Sequence, residues 1–543
     1  MGALTGNGLS LALFGHPLAL VATMFVAAFA VTLAVDRLAM PAAAWSASRP
    51  AGGAHLFSDL MARAVMVAVI FAFFFAISWR PLYAAAAAIS TFAIFTLISR
   101  AKYEFIREPL VFSDIALVML VFRHKEMFYA GWLNILFWVV ALGYVFGGSA
   151  LFMVFEPSVL PLTGRPQLIG IMALAAAAPW LLPLDPHVRR RLAVISACIV
   201  GRHDIKVLTV RLGTLAAVTY SFLAWLGARP APVSQPALPR ESETSSGAGM
   251  PEGKPLVVVW QSESFMDMRH FGVTSLSLPN LDRLRLRSVE WGRMSSIFEG
   301  GYTLRTEFSV ISGLPPADLG HDAAHPYLRA APYADVSWPN RFRKAGWSTH
   351  FIHPYDRQFF SRDRALPQLG FEALTMLDAF DHDTEHDGPY VSDLTLSKRV
   401  LDYCKEQGEP KGQFLFAASM ENHGPWRPGR HGDSTDPVEI YLGILERADA
   451  ALGHLADELD RMDRPVWLAF YGDHAPVLKA FADPFSDPRT EYLIVPMARA
   501  AAGATPAKSP TEKAPWHIIA DMVKHAGIEG WLAEATSRAG AAR

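Results

Sequence analysis

Cysteine is almost absent. Cys198 and Cys404 are the only two in 543 residues and fall in opposite halves of the chain. That scarcity excludes a disulfide framework and a cysteine-based metal centre. Charge is scarce as well: Asp, Glu, Lys and Arg make up 18% of the residues against 51% hydrophobic ones, too little for an ordinary soluble protein. A net charge of -2 offers no basic surface for nucleic acid. No charged region precedes the first apolar run, so no cleavable signal peptide is expected, and the run over 17–35 reads as a membrane span.

What the sequence has in quantity is apolar length. Runs near the ~20 residues a membrane requires recur at 17–35, 61–79, 82–99, 130–153, 166–184 and 207–227. They predict a multi-pass α-helical membrane domain over 1–227 with five or six helices. Trp79, Arg80 and Pro81 read as the tip of a hairpin between the second and third. The stretch 102–132 mixes apolar and charged residues and reads either as an interfacial segment or as a solvated connector. Positive charge alternates between loops. Arg37 and Arg49 follow the first run, Arg100, Lys102, Arg107, Arg123 and Lys125 follow the third, and Arg189, Arg190, Arg191, Arg202 and Lys206 precede the last. Loops rich in Lys and Arg stay in the cytoplasm, which places everything after about 227 outside a bacterial inner membrane. Residues 228–254 are rich in Pro, Ser, Gly and Ala without periodicity, the composition of a flexible linker.

Residues 255–543 have the mixed composition of a globular domain. Apolar, strand-like runs at 256–260, 348–352, 414–418, 466–471 and 492–495 alternate with helical patterns at 281–288, 338–345, 392–406, 440–461 and 516–525. Strands alternating with helices predict a doubly wound α/β domain whose chemistry sits at the carboxyl ends of its strands.

The stretch 299–315, EGGYTLRTEFSVISGLP, places a hydroxyl, Thr303, after Gly300 and Gly301 and before an apolar run with Phe308, Val310 and Ile311. A tight glycine turn that feeds a hydroxyl into a helix start suits a nucleophile or an anion-binding group, although a lone Thr there is more often a helix cap. Three further stretches each follow a strand-like run: Glu263 in WQSESF, His423 in ENHGPW, and Asp473 with His474 in YGDHAP. Two carboxylates and one imidazole suit a borderline divalent ion, with the Thr oxygen completing its shell.

Glu263-Ser264-Phe265, LPNLDRL over 278–284, Gly301-Tyr302-Thr303 with Glu307-Phe308, and Gly472-Asp473-His474 occur in that order. Over roughly 255–500 the chain thereby resembles the sulfatase/alkaline-phosphatase superfamily, and within it the membrane phosphoglycerol transferases of the lipoteichoic acid synthase-like group. The resemblance implies a sulfatase-like extracytoplasmic α/β domain with Thr303 as the nucleophile that carries a phosphoglycerol group. One divalent metal, manganese first with magnesium or zinc as alternatives, would be held by Glu263, Thr303, Asp473 and His474. His423 matches a catalytic histidine at the transferred phosphate, and Arg362 in FSRD an arginine of the head-group pocket. Phe360 stands where Trp is common, and Asp356 is offset by one position from the family's acidic residue. His353, just after a strand-like run, is a further substrate-site candidate. The implied partners are a phospholipid donor in the membrane and a hydroxyl on an envelope glycan or glycolipid, and the chain is expected to bind no nucleic acid.

Other readings keep the fold and change the chemistry. A phosphoethanolamine transferase usually carries several disulfides and a more His-rich zinc site. A sulfatase needs Cys or Ser at the nucleophile, and a two-metal phosphatase needs further Asp and His ligands. A membrane sensor with a dead catalytic domain would not need a complete set of nucleophile and ligand positions.

Overall fold

The computed structural model describes residues 17–50, 55–117, 135–159, 166–201, 204–228, 255–297, 302–384, 386–406 and 412–532. The chain divides into two units, Met1–Arg229 and Pro230–Arg543. The linker from 229 onward, the Gly300-Gly301 turn and the 118–132 part of the mixed segment lie outside the described residues.

In the first unit three helices are long and apolar enough to cross a membrane: Leu18–Ala39, Leu56–Ser78 and Pro81–Glu104. The hairpin between the last two is where the sequence places it. Trp79 is left-handed (φ 53°), and Pro81 occupies the first helical position, where an N–H would have no helical partner anyway. Ala84, Ala85 and Ala88 give the third helix a smooth face in the cluster that holds Val67, Ile70 and Phe71. The later apolar runs are broken. Ile169–Leu184 and Pro186–Val200 meet at 90°, and counting them as one span gives up to four among the described residues. Asp185 caps the second helix of that pair by accepting from the His187 and Val188 N–H groups.

The run expected as one span at 207–227 is two helices, Ile205–Leu212 and Thr214–Gly227, parted at Gly213 (φ 76°). Asp36 is the cause. Its carboxylate fills the place of a Cβ at 213, only 1.9 Å away, and accepts the Thr214 N–H at 3.1 Å. Arg63 lies 3.5 Å from Asp36, and Arg211 holds Asp59 through bonds of 3.0 and 2.8 Å, so these buried charges are paired.

The second unit is built on one sheet of eight strands: β1 (Leu256–Ser262), β2 (Glu290–Met294), β3 (Ser348–Ile352), β4 (Ala373–Thr375), β5 (Gln413–Ala418), β6 (Pro465–Gly472), β7 (Thr490–Ala498) and β8 (Thr511–Lys513). Their order is β4-β3-β5-β1-β6-β7-β2-β8. From β4 to β6 the strands are parallel, β7 is antiparallel to both β6 and β2, and β8 runs parallel to β2. Every residue of β1 is buried, which is why LVVVW shows no alternation: both faces are covered. The long helix Pro437–Asp460 brings Ile440, Ile444, Leu452, Leu455 and Leu459 to the core that holds Val258 and Leu468. Sequence patterning does not reveal β2, β4 or β8. The last two are three-residue strands at the two edges of the sheet, too short to carry a period.

Candidate functional site

Neighbouring parallel strands bring the acids together. Residues of β1 pair in register with β6 up to Ser262 opposite Gly472, so Glu263 and Asp473 leave the same sheet edge side by side. Gly472 is needed there, because a Cβ would sit 2.0 Å from the Phe265 carbonyl. Ser264 takes a positive φ of 50°, an uncommon conformation for a residue with a side chain. Its N–H donates to Asp473 Oδ1 at 2.7 Å and its hydroxyl to Glu263 Oε1 at 2.8 Å, so the strained residue orients both carboxylates. Thr303 is the first residue of the helix Thr303–Ser312.

Around this edge the ligand atoms of Glu263, Asp473 and His474 all lie within 4.8 Å of one another. Thr303 Oγ1 is 3.5 Å from Glu263 Oε2 and 3.3 Å from His474 Nε2. The His474 Nδ1–H donates to the Ala475 carbonyl at 2.9 Å, which fixes the ring and turns Nε2 toward the carboxylates. Asp473 Oδ2 is buried 3.3 Å from His474 Nε2, and the Thr303 hydroxyl also acts on this carboxylate. Two buried carboxylates beside an imidazole nitrogen and a hydroxyl are a donor set that fits a divalent cation.

The electrostatics call for positive charge at the same point. Burial and the Glu263 carboxylate push Asp473 up to about 7. Burial opposes a proton on His474, but Asp473 and Glu263 outweigh it and push the imidazole up to about 10. Burial also works against ionised Glu263, yet His423 and His474 hold it down at about 2. A proton or a metal ion at His474 Nε2 meets the demand of both acids.

His423 lies in the loop after β5 and is electrostatically linked to Glu263. Its Nδ1–H donates to the Gly424 carbonyl at 2.6 Å, so the lone pair of the neutral ring is on Nε2. Burial lowers the imidazole below its ordinary value, with Glu263 pulling the other way. Arg430 pins this loop by donating to the His423 and Pro425 carbonyls at 2.5 and 3.0 Å, and the Tyr390 hydroxyl donates to the Gly424 carbonyl at 3.1 Å.

Arg362 is buried, and its fork closes on Glu307 through Nε and Nη2, at 3.0 and 2.9 Å. Nη1 donates to His353 Nε2 at 3.0 Å, while His353 Nδ1–H donates to the Ala418 carbonyl at 2.9 Å. His353 is therefore a neutral ring with both nitrogens engaged, and burial and Arg362 hold it well below the ordinary histidine range. Phe360 packs its ring 5.9 Å from that of Tyr302, next to Thr303, and lies under the Arg362 guanidinium. Asp356 accepts the Gln358 N–H at 2.8 Å in a local turn. The sequence motifs bring Glu263, Thr303, Asp473 and His474 to one point, whereas Arg362 and His353 form a buried layer organised by Glu307.

Glu307 is the residue whose part the motifs did not reveal. It also accepts from the Tyr327 hydroxyl (2.6 Å) and from Gln261 Nε2 (3.2 Å). A fully buried acid four residues after Thr303 on the same helix implies a buried cation, which is the signal that could have found the pair. A second cluster, Asp267, His270 and Glu491, also brings ligand-type atoms together. Arg269 and Arg285 already neutralise Asp267, at 2.8 and 3.2 Å, so this is an ion-pair network.

Residues 255–528 match the sulfatase family. Over 530 residues the chain is 53% identical to the capsular polysaccharide biosynthesis protein RkpI of Rhizobium meliloti (strain 1021), covering 97% of this chain and 98% of that protein. In fold it is similar to the integral membrane lipooligosaccharide phosphoethanolamine transferase A (EptA) of Neisseria meningitidis, with a TM-score of 0.51 at 12% identity over 93% of this chain and 95% of the other.

Proposed function

The chain belongs to the sulfatase family, and on that premise we propose that it is a metal-dependent phosphotransferase of the bacterial envelope. It moves a phosphoglycerol head group from a membrane phospholipid, phosphatidylglycerol, through Thr303 to a hydroxyl of an envelope polysaccharide. The observation that carries this reading is the position of Thr303 Oγ1, 3.3 Å from His474 Nε2 and 3.5 Å from Glu263 Oε2, at a three-ligand cation site. The similarity to a capsular polysaccharide biosynthesis protein supports the choice of acceptor.

Glu263, Asp473 and His474, with Thr303 as the fourth, would hold the ion. When bound, a divalent cation lowers the pKa of a coordinated hydroxyl and offsets charge on a phosphoryl oxygen. The chain's own residues then divide the work. Thr303 Oγ forms a bond to phosphorus as the bond from phosphorus to the diacylglycerol oxygen breaks. The Thr303 proton ends on that leaving oxygen. In the second half an acceptor hydroxyl attacks the same phosphorus, gives up its proton, and Thr303 regains its hydroxyl. His423, neutral with Nε2 unprotonated, is suited to take the acceptor's proton. Arg362 and Glu307 fix the layer behind the nucleophile.

Release of diacylglycerol from phosphatidylglycerol by the detergent-solubilised full chain tests this. Thr303→Ala is expected to abolish release, and Thr303→Ser to keep part of it, since Ser retains an oxygen nucleophile. Release by Thr303→Ala at the wild-type rate means that water or another residue attacks, and a hydrolase reading replaces the transferase. Diacylglycerol released from phosphatidylethanolamine and not from phosphatidylglycerol changes the donor and leaves the mechanism in place.

A further inference from the structure

One buried acid near the site has no part in the proposed transfer. Asp393 opens the helix Asp393–Glu406 and is 0% exposed. No salt bridge reaches its carboxyl group among the described residues; the Ser419 hydroxyl and the Glu421 backbone N–H are the hydrogen-bond donors that act on it. Its own N–H donates to Glu421 Oε2 at 2.8 Å, which brings a second carboxyl group against it. Glu421 is accounted for: its Oε1 accepts from Arg447 Nε at 2.7 Å. The groups that act on Asp393 are the Glu421 carboxylate and backbone N–H, the Ser419 hydroxyl and the Glu263 carboxylate, and no cation is among them. A carboxylate buried with two other carboxylates acting on it and no counter-charge does not stay ionised; it takes up a proton. Burial and Glu421 accordingly push its carboxyl well above the usual range.

Two arms of the site meet at this acid. Ser419 Oγ accepts the Glu263 N–H at 3.1 Å, so the Ser419 hydroxyl proton is available for an oxygen of Asp393. Glu421 begins the loop that carries His423, two residues on, and Arg430 donates to its carbonyl. A neutral carboxylic acid has what both sides ask for: a carbonyl oxygen to accept from Ser419 and an O–H to donate to the Glu421 carboxylate. An ionised Asp393 could serve Ser419 but would repel Glu421.

We propose that Asp393 is a positioning residue that works as a neutral acid, bridging Ser419, and through it Glu263, to Glu421 and the His423 loop. The proposal rests on the phosphotransferase reading for its effect on turnover, and on the structure alone for its effect on Glu263. Asn is the matching neutral side chain, with one acceptor and one donor in the same places. Asp393→Asn, Asp393→Ala and Ser419→Ala in the detergent-solubilised full chain test it, with manganese titration, manganese content and the pH profile of diacylglycerol release as readouts.

Asp393→Asn is expected to bind manganese within about threefold of wild type and to keep most of the release activity. Where wild type declines as rising pH takes the Asp393 proton, Asp393→Asn should hold its rate. Asp393→Ala and Ser419→Ala should each weaken manganese binding by about 10–100-fold, the usual effect of removing a group that orients a metal ligand. If Asp393→Ala fails to fold, Ser419→Ala against Asp393→Asn makes the same comparison. Asp393→Asn as damaging as Ser419→Ala would overturn the proposal, because it would show that the anion is required. So would a second equivalent of manganese in wild type that is lost in Asp393→Asn, because the acids would then hold a cation instead of a proton. If wild type releases no diacylglycerol at all, the phosphotransferase reading has failed, and the manganese titration alone decides the role of Asp393.

Discussion

Arg362 donates from Nε and Nη2 to the two carboxylate oxygens of Glu307, at 3.0 and 2.9 Å, and Glu307 follows Thr303 by four residues on the same helix. The pair is buried on both sides, with side-chain exposures of 2% and 0%. It ties the helix that begins at Thr303 to the segment carrying Phe360 and Arg362. Removing one partner of such a pair strands the other, so Glu307→Gln is expected to cost about 3–5 kcal/mol of stability, read from chemical denaturation of the full chain. Arg362→Lys keeps the charge and loses the parallel fork, and should cost about 1–3 kcal/mol of stability in the same denaturation experiment. A Glu307→Gln protein as stable as wild type would show that the pair does not hold this layer.

The cation site makes a separate prediction. Glu263→Ala or His474→Ala should remove bound metal while the domain stays folded, because both residues lie beyond the strand ends, outside the hydrophobic core. Elemental analysis alongside circular dichroism measures this. Undiminished metal in either variant contradicts the ligand assignment.

Metal binding should also weaken with acid. His474 is pushed up to about 10 by Asp473 and Glu263 acting against burial, so below that pH its Nε2 holds a proton that a metal must displace. A raised pKa favours the protonated, metal-free form at low pH, and the advantage passes to the metal as pH rises. With one proton displaced, affinity should fall roughly tenfold for each pH unit lost between pH 9 and 7. Calorimetry in buffers of different ionisation enthalpy counts the proton released. A pH-independent affinity would mean that His474 is not a ligand.

Orientation can be tested in cells. The Arg-rich stretch over 189–206, expected as a loop, is helical over Pro186–Val200; it precedes the last apolar run, and from the alternation of positive charge we propose that the catalytic unit lies outside the cytoplasm. A periplasm-active reporter fused after Arg240 should therefore be active. Activity there from a reporter that works only in the cytosol contradicts the orientation.

The sheet was legible where its strands are buried on both faces. LVVVW, FLFAA and VWLAFYG could hardly be anything else, and the proposed ligands that follow β1 and β6 stand out by their place after those runs. The Gly213 break was not, because an apolar run carries no sign of the Asp36 carboxylate that splits it from 178 residues away in sequence. The resemblance implies a head-group role for Arg362, whereas its pairing with Glu307 depends on a tertiary contact across 55 residues that spacing does not report. Asp393 carries no signal in the sequence, since its burial beside Glu421 without a cation arises only in the fold. Strand and ligand positions are local properties of the sequence, whereas the buried charge pairs depend on folding to bring distant segments together.

Covalent transfer through Thr303 is best examined by intact-mass analysis of the detergent-solubilised full chain after exposure to phosphatidylglycerol and manganese without an acceptor. Wild type is expected to gain the mass of one phosphoglycerol group, mapped by peptide fragmentation to Thr303, and Thr303→Ala to gain nothing. Adduct on any other residue, or an unmodified wild-type protein that still releases diacylglycerol, would contradict a Thr303 intermediate.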